Sequence, residues 1–229
     1  MIDRIGLKEN EAELIMNELF KRVKLIPYAE DSEEVRIQIV DLLAKLLKLN
    51  KFEMLKVMSD LSISLSSLLM DTNPEMKVLA ADLACDLSQA LKDKCGGYMK
   101  GVVSSLVKNV GHQHAKVRKA SLLSLKQVII AKNAEPFLED ALAQLKLTAN
   151  DRSPDVKKTL YDMVEFWFTN LETASLITFE KDLLLLMING VADEKEETSQ
   201  SCIAVIETHG KNMREYLESN KWLIINIMP

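Results

Sequence analysis

Breakers, cysteines and aromatic rings are scarce in this sequence. Seven glycines, five prolines and 5% aromatics over 229 residues supply too few turn residues and strand formers for an all-β sandwich or barrel. Cys85, Cys95 and Cys202 form an odd set without paired spacing, which excludes a disulfide framework and fits a reducing compartment. The longest apolar run, Leu183 to Ile188, is far short of the roughly 20 residues of a membrane span. Met1-Ile2-Asp3-Arg4 lacks the basic start and apolar stretch of a signal peptide. Together these absences predict a cytoplasmic protein with no membrane segment. Charge is not one-sided either: a net −5 with 48% apolar residues excludes a disordered acidic chain.

What the sequence does contain is a repeat. A turn, an apolar anchor and usually a cation recur in Ser32-Glu33-Glu34-Val35-Arg36, Asn73-Pro74-Glu75-Met76-Lys77, His114-Ala115-Lys116-Val117-Arg118 and Ser153-Pro154-Asp155-Val156-Lys157. A weaker fifth copy is Lys195-Glu196-Glu197-Thr198-Ser199. The anchors at 35, 76, 117, 156 and 198 are separated by 41, 41, 39 and 42 residues. Each opens an apolar stripe at spacings of three and four, as in Met76, Ala80, Leu83, Leu87 and Leu91, which is one face of an α-helix.

The residues around each anchor suit a helix start. Ser32, Asn73 and Ser153 are placed to accept from the free amides of a first turn. Pro74 and Pro154 occupy the first helical position, where a missing amide costs nothing. Glu34, Glu75, Asp155 and Glu197 put negative charge at the positive end of the helix dipole. A second set of helices is read between the first, over Glu11 to Leu25, Phe52 to Leu69, Tyr98 to Val110, Phe137 to Thr148 and Phe179 to Val191. A single hairpin of two such helices cannot bury both apolar faces, whereas stacked hairpins can. The expectation is an all-α, HEAT-type α-solenoid of about five hairpins plus a terminal helix, forming one domain over 1–229. Its repeats run roughly over 10–49, 51–92, 96–132, 135–171 and 175–210, with a partial one over 213–229.

Catalytic chemistry finds no foothold. His112 and His114 flank Gln113 in a turn with no ligand cluster beside them, so they read as turn residues and no metal is expected. Cys95-Gly96-Gly97 offers a thiol without a base, and reads as a glycine pair ending a helix. No phosphate-cradling loop, zinc-protease motif or nucleophile elbow is present. The chain is therefore read as a non-enzyme with no cofactor.

Charge patterning points to partners instead. From Lys92 to Lys132 there are nine cations and one acid, and from Glu172 to Glu218 ten acids and four bases. Arg118, with Lys77 and Lys157 in the same column, is expected to form a structural ladder with turn acids such as Asp71 and Asp151. Lys116, Lys119 and Lys126 are the candidates for partner contact. Trp222 is a fourth, in an apolar C-terminal run that a partner or a second copy would cover if the chain does not stop short; a shortened chain is the favoured expectation and self-association at that end the other. An alternative is a HEAT module that binds tubulin or nucleic acid through the basic middle repeat. The pI near 5.4 and the lack of interleaved aromatics argue against nucleic acid, and the Asp-, Thr-, Asn- and Ser-bearing turns argue against tubulin.

A helix pair of about 40 residues with this signature resembles a HEAT repeat. The residues carrying the likeness are Asp71, Pro74, Met76, Lys77 and Ala80, then Val117, Arg118 and Ala120, then Asp151, Pro154, Val156 and Lys157. More narrowly, Gly111 to Arg118 followed by Ala120 and Val128-Ile129, and then Asp151 to Leu171 with Trp167, resemble successive repeats of the HEAT-repeat axonemal dynein assembly factor family. The likeness covers roughly Thr72 to Gly210. It implies a cytoplasmic, non-enzymatic scaffold that helps preassemble dynein arms for cilia. Dynein arm chains, chaperones and other assembly factors would be its partners. Members of that family carry more repeats, so the chain is expected to be a fragment or a shortened form.

Overall fold

The computed structural model describes residues 9–49 and 51–219. These residues form eleven α-helices: α1 (Glu9–Val23), α2 (Glu33–Leu49), α3 (Lys51–Lys56), α4 (Met58–Leu69), α5 (Pro74–Leu91), α6 (Lys100–Val110), α7 (Ala115–Val128), α8 (Leu138–Thr148), α9 (Pro154–Asn170), α10 (Thr173–Val191) and α11 (Glu196–Ser219). No strand occurs among the described residues. Helices α3 and α4 act as one first helix that bends at Val57. The hairpins stack so that α1, α4, α6, α8 and α10 form one layer and α2, α5, α7, α9 and α11 the other. The architecture is an α-solenoid of the HEAT and armadillo kind.

The helix starts follow the repeat. Helices α2, α5, α7, α9 and α11 each begin two residues before their apolar anchor. Asn73 Oδ1 accepts from the Glu75 amide at 2.8 Å, and Ser32 Oγ accepts from the Val35 amide at 3.3 Å. Ser153 departs from expectation, because its side chain makes no capping bond. Asp151 Oδ1 accepts from the Ser153 amide at 2.8 Å, so the acid two residues earlier closes that turn.

Between the layers lies one continuous apolar core. Leu43, Leu65, Leu87, Leu106, Leu125, Leu160 and Leu183 are fully buried, one or more from every hairpin. Trp167 is also fully buried, and its Nε1 donates to the Lys126 carbonyl at 3.1 Å, tying α9 to α7. Its ring has apolar surroundings while its single donor is satisfied, as a buried indole requires.

Two expectations of helix extent change. Helix α10 starts at Thr173, six residues before Phe179, because residues 173–178 face outward or lie half-buried and leave no apolar stripe to read. Helix α11 passes Met213 unbroken to Ser219, so no new helix starts there. Gly210 alone does not stop it, since one glycine inside a helix costs only about 1 kcal/mol. The glycine pair has a different role from the one expected. Neither Gly96 nor Gly97 takes a positive φ, whereas Lys92 does, at 46°. Gly96 is needed for close approach: a Cβ there would sit 2.1 Å from the Lys132 carbonyl oxygen, where the turn before α6 lies on the turn before α8.

Candidate functional site

The turns carry a ladder whose rungs cross from one repeat to the next. After three of the anchors the cation reaches the residue five before the following anchor. Arg36 Nε donates to Asp71 Oδ2 at 3.1 Å. Arg118 Nε and Nη2 donate to the two oxygens of Asp151 at 2.6 and 2.7 Å. Lys157 Nζ lies 2.6 Å from Asp193 Oδ2. The guanidinium groups also hold their own turns: Arg36 Nη1 donates to the Glu30 and Asp31 carbonyls, and Arg118 Nη1 to those of His112 and Gln113. Each aspartate has a second task, accepting the amide two residues on, from Asn73, Ser153 or Lys195. Burial raises the Asp151 and Asp193 carboxyls. Hydrogen bonds from Arg118 and Lys157, with the Ser153 and Lys195 amides, outweigh it and hold both below the usual carboxylate range. The expected ladder is thus present, with the pairing offset by one repeat.

One rung lacks its acid. The position equivalent to Asp71, Asp151 and Asp193 is His112. Its Nδ1 accepts from the His114 amide at 3.1 Å, which reproduces the turn-closing half of the aspartate's work. It supplies no charge to Lys77. Lys77 is 7% exposed and donates instead to the Leu69 carbonyl at 2.9 Å and to Asn109 Oδ1 at 3.0 Å. Burial lowers its pKa, offset in part by Asp71. His112 is also lowered, by burial first and then by Lys77, His114 and Arg118.

The other surface of interest is the outer face of α5, α7 and α9. Lys116, Lys119 and Lys126 fall at spacings of three and seven along α7, so the structure brings these three candidates onto one face. Lys116 and Lys119 are exposed, and Lys126 is half-buried with its Nζ 4.7 Å above the Phe166 ring. Leu123 lies among them and is 43% exposed. Trp222 lies outside the described residues. The remaining cations of the basic run disperse: Lys100 and Lys108 stand on α6 in the opposite layer, and Lys92, Lys94 and Lys132 in the turns at the far end of α5 and α7. The run of nine is therefore not one patch, which weakens a nucleic-acid surface there.

Sequence reasoning missed the acids beside these lysines. Asp82 and Asp86 face outward on α5, and Asp162 and Glu165 on α9. A signal for them exists. Six residues past the first four anchors stand Asp41, Asp82, Leu123 and Asp162, so the middle helix replaces the acid of its neighbours by an apolar side chain. Two cysteines, on α5 and in the turn after it, have thiols raised by burial. Burial, with Asp86 and Asp82, pushes the Cys85 thiol up to about 11, and burial pushes Cys95 to about 11 as well. Among the described residues no group of three or more His, Cys, Asp or Glu side chains could hold a metal ion. No helix of the described residues is long and apolar enough to cross a membrane.

Comparison with known proteins bears on what such a surface serves. Among solved structures, a designed armadillo repeat protein in complex with the peptide (KR)4 matches with a TM-score of 0.65 at 18% identity, covering 88% of this chain and 86% of that one. That likeness concerns the fold. Dynein axonemal assembly factor 5 of Mus musculus is 23% identical over 85% of this chain and 22% of its own length. The Homo sapiens protein of the same name is 25% identical over 79% of this chain and 21% of its own. The chain thus spans about a fifth to a quarter of the curated relatives it matches. A family model described as "Dynein axonemal assembly factor 5-like, TPR repeats" matches residues 1–221. The description speaks of tetratricopeptide repeats, whose period is about 34 residues; the spacing here, 39 to 42, is that of HEAT units. With a match over nearly its whole length, the chain belongs to the Dynein axonemal assembly factor 5-like repeat family.

Proposed function

We propose that this chain is a non-enzymatic interaction scaffold that aids the cytoplasmic preassembly of axonemal dynein arms. The family match over residues 1–221 carries this reading. The physical support is the division of labour in the solenoid. Buried leucines and the turn ladder fix the stack, and the outer face of the second-helix layer is left free to hold a client. A scaffold of this kind works by presenting surface, and stacked repeats extend such a surface without new chemistry. Dynein arm chains, and the chaperones that accompany them, are the partners proposed.

The test is an affinity capture with the whole chain from the cytoplasm of ciliated cells at physiological salt, read by mass spectrometry. Recovery of dynein arm chains with chaperones is the expected result. Recovery of tubulin or of nucleic-acid-binding proteins in their place would overturn the assembly reading and leave the solenoid standing.

A further inference from the structure

On the outer face of α5, α7 and α9, Asp82, Asp86, Lys119, Lys126, Asp162 and Glu165 stand outside the ion pairs, while Lys158 of α9 pairs with Glu197 of α11 and lies one turn from Asp162. Exposed charges elsewhere are paired: Lys21 with Glu18, Lys45 with Asp41 and Lys146 with Asp182. No ion pair within 4.0 Å joins Asp82, Asp86, Lys119, Lys126, Asp162 or Glu165 to any charged group among the described residues. The contrast between equivalent positions is sharp. Six and ten residues past the anchor, α2 carries Asp41 and Lys45, an attractive pair one turn apart. At the same two positions α5 carries Asp82 and Asp86, a repulsive pair at the same spacing. Partial burial and the Asp86 charge both raise Asp82.

The three helices are neighbours in one layer, α7 packed against both α5 and α9. Across them the charges that stand outside ion pairs run acid, base, acid, with Lys158 of α9 neutralised by Glu197. Leu123 stands at the centre, in the column where its neighbours have Asp82 and Asp162. We propose that this face docks an extended protein segment carrying a cation, an acid and a cation in that order along the solenoid axis. Packed helices have axes roughly 8–10 Å apart. A polyproline II chain advances about 9 Å over three residues and returns each third side chain to the same side. The segment that fits therefore bears lysine or arginine at its first position, an acid at the fourth and lysine or arginine at the seventh. An apolar residue beside the acid covers Leu123. A nucleic acid is disfavoured by the same pattern, because the four carboxylates would repel its phosphates on both sides of α7. This rests on reading the second-helix layer as the docking face, and names the chemistry of what docks there.

The experiment uses fluorescein-labelled, proline-rich peptides with charged residues at every third position, titrated against the whole chain by fluorescence anisotropy. The Lys–Glu–Lys peptide is expected to bind about tenfold more tightly than Glu–Lys–Glu. In the double variant Lys119→Glu with Lys126→Glu, the Lys–Glu–Lys peptide loses about tenfold, and an all-lysine peptide gains over its binding to the parent chain. A melting curve for the variant, expected to stay within a few degrees of the parent, keeps loss of fold apart from loss of contact. Equal binding of the two peptides overturns the proposal. So does a double variant that keeps the parent's preference, or tighter binding of a single-stranded RNA homopolymer than of Lys–Glu–Lys. If dynein arm chains are captured while the peptides show no preference, only the charge pattern falls. If the preference holds while no arm chain is captured, the docking face stands and the assembly role falls.

Discussion

The turn that enters α9 and the turn that enters α7 have the same shape and different chemistry. Asp151 closes the first by accepting the Ser153 amide at 2.8 Å, and its charge also pairs with Arg118 of the preceding repeat. His112 closes the second by accepting the His114 amide at 3.1 Å, and offers Lys77 no charge. The backbone geometry of the turn and the ion pair between repeats are thus separable. An imidazole nitrogen can replace a carboxylate oxygen as acceptor, but neutral imidazole cannot neutralise a buried ammonium. The structure places Asn109 in that gap: its amide oxygen accepts a hydrogen bond from Lys77 and its amide nitrogen donates to the Leu69 carbonyl at 2.7 Å. This gives Lys77 two acceptors but no counter-charge at close range, and burial lowers its pKa, offset in part by Asp71.

The largest test breaks the complete rung. Asp151→Ala strands Arg118, which is 6% exposed, and also frees the Ser153 amide. Removing one partner of such a buried pair costs about 3–5 kcal/mol, read as a loss in urea unfolding midpoint. A loss under about 1 kcal/mol would mean that the Arg118 contacts with the His112 and Gln113 carbonyls suffice alone. A smaller effect, of opposite sign, completes the incomplete rung. His112→Asp should keep the turn, bring a carboxylate to Lys77 and raise stability by about 1 kcal/mol. A fall in melting temperature would show that Asn109 has already made the position unsuited to an acid.

The smallest effect is one of pH. The folded pKa of His112 is depressed, so the unfolded chain binds the proton more readily. Stability from this turn is fully present above the free-histidine value near 6.5 and is lost as pH falls through that value towards the lower folded pKa. Asp151 is depressed from a lower starting point, so its contribution persists down to about pH 4 and is lost only as pH falls through its folded pKa. Between pH 7.5 and 5.5 the parent chain should therefore lose more stability than the His112→Asp variant, by under about 1 kcal/mol. Thermal melts of the two proteins across that range check it.

Much of the fold was legible in the sequence, because repetition writes the same local physics five times. Apolar anchors at 35, 76, 117, 156 and 198 each fall on the third residue of a helix, and the stripes behind them enter one core. Legibility failed where a side chain served something outside its own repeat. Ser153 looked like a capping acceptor, yet its side chain makes no capping bond, and the turn is closed by Asp151, whose other bonds go to the preceding repeat. Gly96 looked like a residue for a bent backbone, yet what it relieves is the approach of the Lys132 carbonyl. Of the candidate contact residues, Lys116, Lys119 and Lys126 share a face because their spacing on one helix dictates it. Asp82, Asp86, Asp162 and Glu165 were not joined to them, because each lies about 40 residues away along the chain.

By itself, then, the sequence determined the two-helix repeat and the starts of α2, α5, α7, α9 and α11. Hydrophobic period, helix dipole and turn chemistry act within a few residues and are complete in each copy. Only the tertiary structure decided which cation meets which acid, and which charges stay unpaired on α5, α7 and α9. Coulombic attraction and packing depend on distance in space, and stacking brings residues some 40 apart in sequence to adjacent positions.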